Sequence, residues 1–312
     1  MNIFVTGATG VLGKAVVKRL VADGHEVHAL SRSDVNRKVL QGLGAEPIPA
    51  DLFEAESLQH ALAGCEAILH LATSIPPTTQ MGRRSAWQEN DRIRGTGTRT
   101  LVEAALAAGS VQTFIYPSFA FVYPESGDRW IDAETTPVQP AVAARSTLAA
   151  EVEVTRFAGN ARRGISLRMG SLYGPEPTTG QFLRFARWGI AAYPGPHDAY
   201  LPQIWVEDAA SALIAAVTQP VPSGVYDIVD DEPLTRGEIF AAMAQAVGRK
   251  RLWQPPTVLM RMVTGVVYDM LSRSLRVSNR RFKAVSSWQP LVPDAHVGWA
   301  RIGGESRVAL LA

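Results

Sequence analysis

The chain has 312 residues, of which 46% are hydrophobic and 19% are charged. At about 150 residues per domain this length predicts two lobes, and the composition excludes a disordered or fibrous protein. Lys and Arg total 31 against 29 for Asp and Glu, and the resulting net charge of +2 argues against nucleic acid as a partner. Because Cys65 is the single cysteine, internal disulfides and zinc sites made of several cysteines are excluded.

Two apolar segments bear on location. The N-terminal run reaches Gly7 without a basic region before it, so we expect no signal peptide and a cytoplasmic protein. The segment Val258–Leu271 is apolar, but Arg261 and Asp269 interrupt it and it is shorter than the ~20 residues of a membrane span. We interpret it as a buried or subunit-facing helix, which is compatible with a homodimer.

The first half of the chain alternates short β-branched runs with helical patterns. This alternation predicts strands at Ile3–Thr6, Glu26–Leu30, Pro47–Pro49, Ala67–Leu71, Thr113–Tyr116 and Ile165–Arg168. It predicts helices at Val11–Ala22, Asp34–Leu43, Leu58–Leu62, Gly97–Ala108 and Leu148–Phe157. Because parallel strands need helical crossovers, the order indicates an α/β fold with a doubly wound parallel sheet of the Rossmann type.

The pattern loosens after Gly170, where proline and glycine separate the elements more widely. Helices are still indicated at Glu207–Thr218 and Arg236–Val247, and a strand at Val225–Val229. We therefore predict a dinucleotide-binding domain at 1–170, completed by parts of 200–230, and a smaller substrate-binding lobe at 171–312.

A glycine-rich loop lies directly between the first strand and the first helix. Its glycines allow a tight turn and a close approach to a pyrophosphate, whose charge is met by free N–H groups and the helix dipole. A glycine triplet also occurs in plain turns, but this position favours a cofactor site. The predicted contacts are Gly7, Thr9, Gly10, Val11, Leu12 and Gly13.

The residues after the second strand predict which dinucleotide binds. An NAD enzyme usually places an acidic residue here for the ribose 2′-hydroxyl, whereas this chain has Ser31 and Arg32. Hydroxyl donors and a planar guanidinium suit a 2′-phosphate, so we predict NADP. A solvated surface arginine is the alternative for Arg32. Asp34 stands where the next helix begins and is interpreted as its N-cap.

Two further strand ends contribute to the predicted cofactor site. Asp51 and Leu52 follow the third strand, where an adenine ring would lie; capping the helix near Glu54 is the alternative role for Asp51. Ala72 and Thr73 follow the fourth strand at the same edge. His70, at the end of that strand, is more often a satisfied core group than a catalyst.

Several segments together resemble the extended short-chain dehydrogenase/reductase family, which includes NAD-dependent sugar epimerases and dehydratases. They are Gly7 to Gly13, Asp51-Leu52, Leu69 to Ala72, Gly97 to Ala105, Leu167-Arg168, Tyr173 to Pro175 and Val206 to Ala210. The resemblance covers nearly the whole chain and implies hydride transfer with proton transfer by a tyrosine. A lysine four residues later lowers the pKa of that tyrosine, and a serine or threonine assists it.

The chain departs from the family at these catalytic positions. The tyrosine position falls on Ala143, the lysine position on Thr147, and the serine position on Phe119, with Ser118 one residue before it. Ser118 and Tyr123 are the candidate catalytic residues, although each could instead serve the fold. Tyr173 and water are further possible proton sources.

These observations predict an atypical NADP(H)-dependent oxidoreductase. We expect it to act on a small apolar or aromatic carbonyl or an activated alkene. The alternative is a non-catalytic NADP(H)-binding redox sensor or accessory protein, which needs the glycine loop but no proton donor. The six histidines lack the helical pairing with a carboxylate that zinc sites show, so no metal is predicted. The expected partner is a small-molecule substrate, not a membrane.

Overall fold

The computed structural model describes residues 1–308, with side chains to residue 304, and is organised around a seven-stranded parallel sheet. The spatial order of its strands is β10-β7-β5-β4-β1-β2-β3, and every neighbouring pair is parallel. These strands are β1 Asn2–Thr6, β2 Glu26–Ser31, β3 Glu46–Pro49, β4 Ala67–His70, β5 Thr113–Phe119, β7 Arg163–Met169 and β10 Gly224–Ile228. The predicted Rossmann architecture is confirmed. From β1 the chain adds β2 and β3 on one side and then β4 and the later strands on the other, so the strand order reverses between β1 and β4.

Helices cover both faces of the sheet. Helices α1 (Val11–Ala22) and α8 (Val206–Thr218) pack together on one face, and α3 (Ala55–Ala61), α5 (Thr98–Ala108) and α6 (Arg145–Phe157) pack on the other. Helix α2 (Asp34–Gly42) lies against β2 and β3. Helix α4 (Gln88–Arg92) runs into α5 through a π-helical turn at Ile93–Gly97. Such turns are rare overall, and those that occur are often found at functional sites.

The alternation of strand side chains divides the core into two layers. In β1, Ile3 and Val5 pack on the α1 face, whereas Phe4 packs on the α5 and α6 face. In β5, Ile115 packs in the layer on the α1 face, which we call the first core layer. Phe114 packs in the layer on the α5 and α6 face, the second core layer. Because successive side chains of a strand point to opposite faces of the sheet, every second residue of each strand points toward α5 and α6.

A third apolar cluster forms the core of the C-terminal elements. It draws on α7 Pro177–Arg187, α9 Arg236–Ala246, α11 Tyr268–Leu271 and α13 Ala295–Val308, and on the short parallel pairs β8 Ser171–Tyr173 with β9 Gln203–Trp205 and β6 Trp130–Ile131 with β11 Arg276–Val277. Helix α10 (Thr257–Thr264) precedes α11, and α12 (Arg280–Val285) packs on β10 through Phe282. Tyr173 stacks on Trp299 there, with ring centroids 6.0 Å apart. A Cβ at Gly298 would lie 2.3 Å from the Tyr173 ring, so this packing requires glycine.

The apolar segment at 258–271, interpreted as a buried or subunit-facing helix, is buried only in part, at Met260, Val267, Tyr268 and Met270. Within α10, Val258 and Met262 are each 76% exposed, so this face is not buried in the monomer. A subunit-facing role stays a prediction. Within residues 1–308, no helix combines the length and the apolar character that crossing a membrane would require.

Candidate functional site

Side chains cannot fit at two positions of the glycine loop after β1, one because of the end of β4 and the other because of the loop's own backbone. Gly7 has φ +68°, and a Cβ there would lie 2.5 Å from the carbonyl carbon of Leu71 and 2.6 Å from the Ala72 nitrogen. A Cβ at Gly13 would lie 2.2 Å from the Gly7 oxygen. Gly10 is exposed, and in the described chain no side chain caps the first turn of α1. The loop therefore forms a backbone cradle at a helix N-terminus, which fits a pyrophosphate.

The turn between β2 and α2 presents a free cation. Ser31 is buried and donates from Oγ to the Ser33 carbonyl oxygen at 3.2 Å. Arg32 is exposed, and no hydrogen bond or ion pair within residues 1–308 holds its guanidinium. The interpretation of Asp34 as the N-cap is wrong. Ser33 is the N-cap, because its extended backbone lets Oγ accept from the Asn36 amide at 3.3 Å.

The predicted adenine and strand-end residues lie at the same edge of the sheet. Asp51 is exposed, and its Oδ1 accepts from the Phe53 amide at 2.9 Å, so it closes a turn ahead of α3. The side chain of Leu52 is buried against the π-helical turn. The Ala72 amide donates to Thr6 Oγ1 at 3.3 Å, and Thr73 is exposed. Their contacts with a cofactor stay predictions.

Beside this cradle, polar side chains occupy the carboxyl ends of five adjacent strands on the α5 and α6 face. We call this set the polar row; it consists of Thr6, His70, Tyr116, Ser118, Arg168 and Asp227. All six are at least nine-tenths buried. In β1, β4 and β5 they continue the alternation that places Phe4, Ile68 and Phe114 in the second core layer. In β7 and β10, Arg168 and Asp227 alternate with apolar residues of the first layer.

His70 is a satisfied core group. Hydrogen bonds join its Nδ1 to Thr6 Oγ1 at 2.7 Å and its Nε2 to Thr98 Oγ1 at 3.1 Å. Burial, and then the charge of Arg94, lower the pKa of His70 to about 3. The imidazole is therefore neutral at physiological pH and bridges β1 to α5.

The two candidate catalytic residues belong to one buried chain of hydrogen bonds. Ser118 donates to Glu151, whose carboxylate also accepts two bonds from Arg168. Arg168 Nη1 donates to the Tyr123 hydroxyl at 3.0 Å, and that hydroxyl donates to Asp227 Oδ1 at 2.8 Å. The structure thus brings Ser118 and Tyr123 together, and it gives both hydroxyl protons an acceptor inside the protein.

Burial determines the protonation states of Asp227 and Tyr123 in this chain of hydrogen bonds. It raises the pKa of Asp227 to about 7, although Tyr123 and Arg168 both favour the carboxylate. Burial, and then the nearby charge of Asp227, raise the pKa of Tyr123 well above its ordinary value. Tyr123 is therefore a neutral phenol across the physiological range, and it can act as a hydrogen-bond donor but not as a base.

The positions that match the family's tyrosine and lysine are buried and lie at the start of α6. Ala143 is 2% exposed and Thr147 is fully buried. The Tyr116 hydroxyl reaches Thr147 Oγ1 at 3.0 Å, so a phenol from β5 meets the position of the missing lysine. Tyr173 is remote from this arrangement, because its hydroxyl donates to Asp230 in the C-terminal core at 2.8 Å.

Sequence reasoning missed several residues of this region. They are Glu151, Arg168 and Asp227 of the hydrogen-bonded chain, with Asn90 and Arg94 on the helix beside it. A signal was present in the strands, since Arg168 and Asp227 are charged residues at alternate positions of otherwise apolar runs. Buried charged residues are rare unless they are paired, so such positions indicate a polar layer.

Comparisons with curated proteins find similar chains of matching length. A 3-diazoavenalumate denitrifying reductase from a Streptomyces species is 29% identical over 318 residues, covering 96% of this chain and 100% of that protein. A 2-alkyl-3-oxoalkanoate reductase from Shewanella oneidensis is 25% identical, covering 88% of this chain and 73% of that protein.

Solved structures share the fold over almost the whole chain. The human epimerase family protein SDR39U1, crystallised with NADPH, has a TM-score of 0.83 at 23% identity and covers 97% of this chain and 99% of its own. MoeE5 in complex with UDP-glucose and NAD has a TM-score of 0.77 at 23% identity, with coverage of 99% and 100%. The family model described as NAD dependent epimerase/dehydratase matches residues 3–229. This match confirms the predicted family, and the chain belongs to the NAD dependent epimerase/dehydratase family of extended short-chain dehydrogenases/reductases.

Proposed function

We propose that this protein is an NADP(H)-dependent reductase that acts on a small apolar or aromatic carbonyl compound or an activated alkene. The observation that carries the proposal is the glycine cradle at Gly7 and Gly13 with the unpaired Arg32 at the next strand end. When bound there, NADPH would supply the hydride. The chain's own contribution is to hold the pyrophosphate on backbone N–H groups and the 2′-phosphate on Arg32 and Ser31.

The relatives support a reductase more than an epimerase. Two relatives that match most of this chain are named reductases, and one of them is named for a 3-oxoalkanoate, a ketone that also carries a carboxylate. The NADPH in the SDR39U1 structure favours the phosphorylated cofactor, whereas MoeE5 holds NAD. The choice of NADP therefore rests on Arg32.

Ser118, Tyr123 and water are the proposed sources of the proton. Ser118 lies one residue before the family's serine position, at the carboxyl end of β5. Tyr123 is fully buried, and its proton already has a strong acceptor in Asp227. A general acid must come within hydrogen-bond distance of the atom that it protonates. Ser118 is also buried and donates to a carboxylate, Glu151, so its place beside the family's serine position is what favours Ser118 over Tyr123. A water molecule is the other proposed source.

Thermal melts with NADPH and with NADH test the cofactor. A ligand at ~100 times its Kd stabilises the native state by ~2.7 kcal/mol, so NADPH is expected to shift the melting temperature and NADH to shift it less. Arg32→Ala should remove the difference between the two cofactors. Arg37→Ala is the matched control. Arg37 is also exposed, but it lies on α2, and its Nε is 3.8 Å from Asp34 Oδ1. Equal shifts in the unmodified protein would contradict the role of Arg32.

Turnover is tested by stoichiometric oxidation of NADPH with a panel of aromatic aldehydes, ketones, enones and 3-oxo acids. Consumption that matches product formation supports the reductase. Tight NADPH binding without turnover on any member of the panel would favour the alternative, a redox sensor or accessory protein, since both catalytic positions of the family are replaced at Ala143 and Thr147.

A further inference from the structure

One face of the helix formed by α4, the π-helical turn and α5 lies along the carboxyl end of β4. Thr98 Oγ1 is bonded to His70 at 3.1 Å, and Asn90 Oδ1 accepts from the Ser74 amide at 3.1 Å. Arg94 is four residues from each of them. Arg94 therefore lies between these two anchors along the helix, and its charge acts on His70 at the end of β4.

Two hydrogen-bond donors on this face have no partner. Asn90 is fully buried, and its Nδ2 makes no hydrogen bond to any residue that the structure describes. The bond from Ser74 to Oδ1 fixes which atom of the amide is the nitrogen. Arg94 is 8% exposed, its Nε is equally unpartnered, and no carboxylate within residues 1–304 forms an ion pair with it.

An unpaired buried cation is costly to the fold. Removing a guanidinium from water requires compensation by a carboxylate or by several acceptors, and native proteins leave few buried polar groups unsatisfied. Two such groups, side by side on one helix face, indicate that the missing acceptors belong to a bound molecule. The site lies next to the cofactor cradle, because Asn90 is bonded to Ser74, two residues after Ala72, and Ala72 packs directly against Gly7 of the cradle.

The position of Arg94 relative to α6 identifies which part of a ligand it would meet. The π-helical turn packs on α6, and the Arg94 charge acts on the Tyr116 phenol. That phenol is bonded to Thr147, which stands where the family carries its lysine. The positive charge that is absent at Thr147 is therefore present on the neighbouring helix.

We infer that Arg94, with Asn90 beside it, binds the nicotinamide mononucleotide half of NADP(H) in place of the family's lysine. The ribose hydroxyls and the adjoining phosphate of that half supply oxygen acceptors for both unpartnered donors. The inference rests on the proposed function, because it assigns a second set of contacts to the same cofactor. Arg32 and Arg94 would then hold opposite ends of one ligand.

Comparing the binding of the whole cofactor with that of a truncated one tests the contacts to its two ends separately. We would measure the Kd of NADPH and of 2′,5′-ADP, which lacks the nicotinamide half, for the unmodified protein and for Arg94→Met, Asn90→Leu and Arg32→Ala. Arg94→Met should weaken NADPH by ~10-fold or more, the scale of a lost hydrogen bond to a charged group, and leave 2′,5′-ADP unchanged. Asn90→Leu should act in the same direction with a smaller effect, whereas Arg32→Ala should weaken both ligands.

The outcomes distinguish this inference from the proposed function. NADPH affinity that Arg94→Met leaves unchanged, while Arg32→Ala weakens both ligands, would overturn the inference and keep the proposed function. An increase only in the KM of an acidic substrate would overturn it as well, by assigning Arg94 to a substrate carboxylate. If the unmodified protein binds neither ligand, both proposals fail.

Two controls exclude a purely structural role of Arg94. Removal of an unpaired buried charge should raise the melting temperature of the ligand-free protein, whereas loss of a structural ion pair would lower it. Arg94→Lys keeps the charge and should retain more of the NADPH affinity than Arg94→Met. A melting temperature that falls in Arg94→Met, or equal affinities in the two variants, would overturn the inference.

Discussion

Arg168 holds Glu151 through two parallel hydrogen bonds, from Nε to Oε1 at 2.9 Å and from Nη2 to Oε2 at 2.7 Å. The side chains are 7% and 8% exposed, so the pair is desolvated on both sides. It joins β7 to α6 and lies between Ser118 and Tyr123. Together with the hydrogen bond between Tyr116 and Thr147 at the start of α6, it makes a second polar connection between this helix and the sheet.

The first prediction concerns the stability of this pair. Glu151→Ala leaves the Arg168 charge buried without its acceptors and should lower the free energy of unfolding by ~3–5 kcal/mol. The double variant Glu151→Leu/Arg168→Met removes both charges and should recover most of that loss. Urea unfolding measures each variant, with the exposed pair Arg261 and Asp269 as control, where Asp269→Ala should cost at most ~1 kcal/mol. A double variant as unstable as Glu151→Ala would contradict the charge explanation.

The second prediction is a pH dependence from Asp227. Its pKa is about 7 in the native state against an ordinary value of 3.8, chiefly because of burial, and Tyr123, Arg168 and Asp132 are the charged or titratable groups near it. Between these two values the native state keeps a proton that the unfolded chain has lost. The free energy of unfolding should therefore fall as the pH rises from about 4 to 7. Asp227→Asn should flatten this slope, and an unchanged slope would show that another group causes it.

The third prediction has the opposite sign and comes from His70. Burial and the Arg94 charge lower its pKa to about 3, from an ordinary 6.5. As the pH falls below 6.5, the unfolded chain takes up a proton that the native state excludes, so this contribution to stability is lost between about 6.5 and 3. His70→Gln should reduce the acid-side slope in urea unfolding measured at several pH values. A variant with the same acid-side slope as the unmodified protein rules out His70 as its source.

The parts of the fold that sequence predicted well are those set by neighbours in the chain. Helix α1 has its predicted bounds, Val11–Ala22, because a strand, the glycine loop and an amphipathic repeat follow one another directly. The N-cap of α2 was misplaced by one residue, since Ser33 and Asp34 are both good caps and only the backbone conformation decides between them.

The pairing within the hydrogen-bonded chain from Ser118 to Asp227 could not be predicted, because its contacts join distant parts of the chain. Tyr123 and Asp227 are 104 residues apart, and no sequence pattern around either residue indicates that the other is its partner. Likewise, an unpartnered Arg94 is visible only once every possible acceptor around it has been placed. The sequence signatures therefore predicted the glycine loop between β1 and α1, but not the buried hydrogen bonds beside it.

The fourth prediction separates close packing at Gly7 from its backbone conformation. Gly7→Ala places a Cβ 2.5 Å from the Leu71 backbone, so the loop must shift, and both NADPH binding and stability should be lost. Gly24→Ala is the matched control, because Gly24 has a similar φ of +82° but open space around it. It should cost only the ~1–2 kcal/mol of a left-handed alanine and leave the Kd of NADPH unchanged. Normal NADPH binding by Gly7→Ala would show that the cradle does not hold the cofactor.

The last prediction decides between a catalytic and a structural role for the two hydroxyls of the hydrogen-bonded chain. Tyr123→Phe keeps the ring but leaves Asp227 and Arg168 each without one partner, which should lower the free energy of unfolding by ~1–3 kcal/mol. Because the hydroxyl is fully buried, turnover in this variant should stay within ~10-fold of the unmodified protein, below the ~100-fold that a general acid contributes.

Ser118→Ala is the companion variant, because Ser118 lies at the strand end next to the family's serine position and donates to Glu151. If Ser118 supplies the proton, its removal should lower kcat by ~100-fold or more with unchanged NADPH affinity, since the interaction is made only in the transition state. A loss of that size in Tyr123→Phe instead would assign the proton to the phenol and overturn the geometric preference. Full turnover in both variants would leave water as the donor, with Glu151, Arg168 and Asp227 serving to fix the shape of the pocket wall.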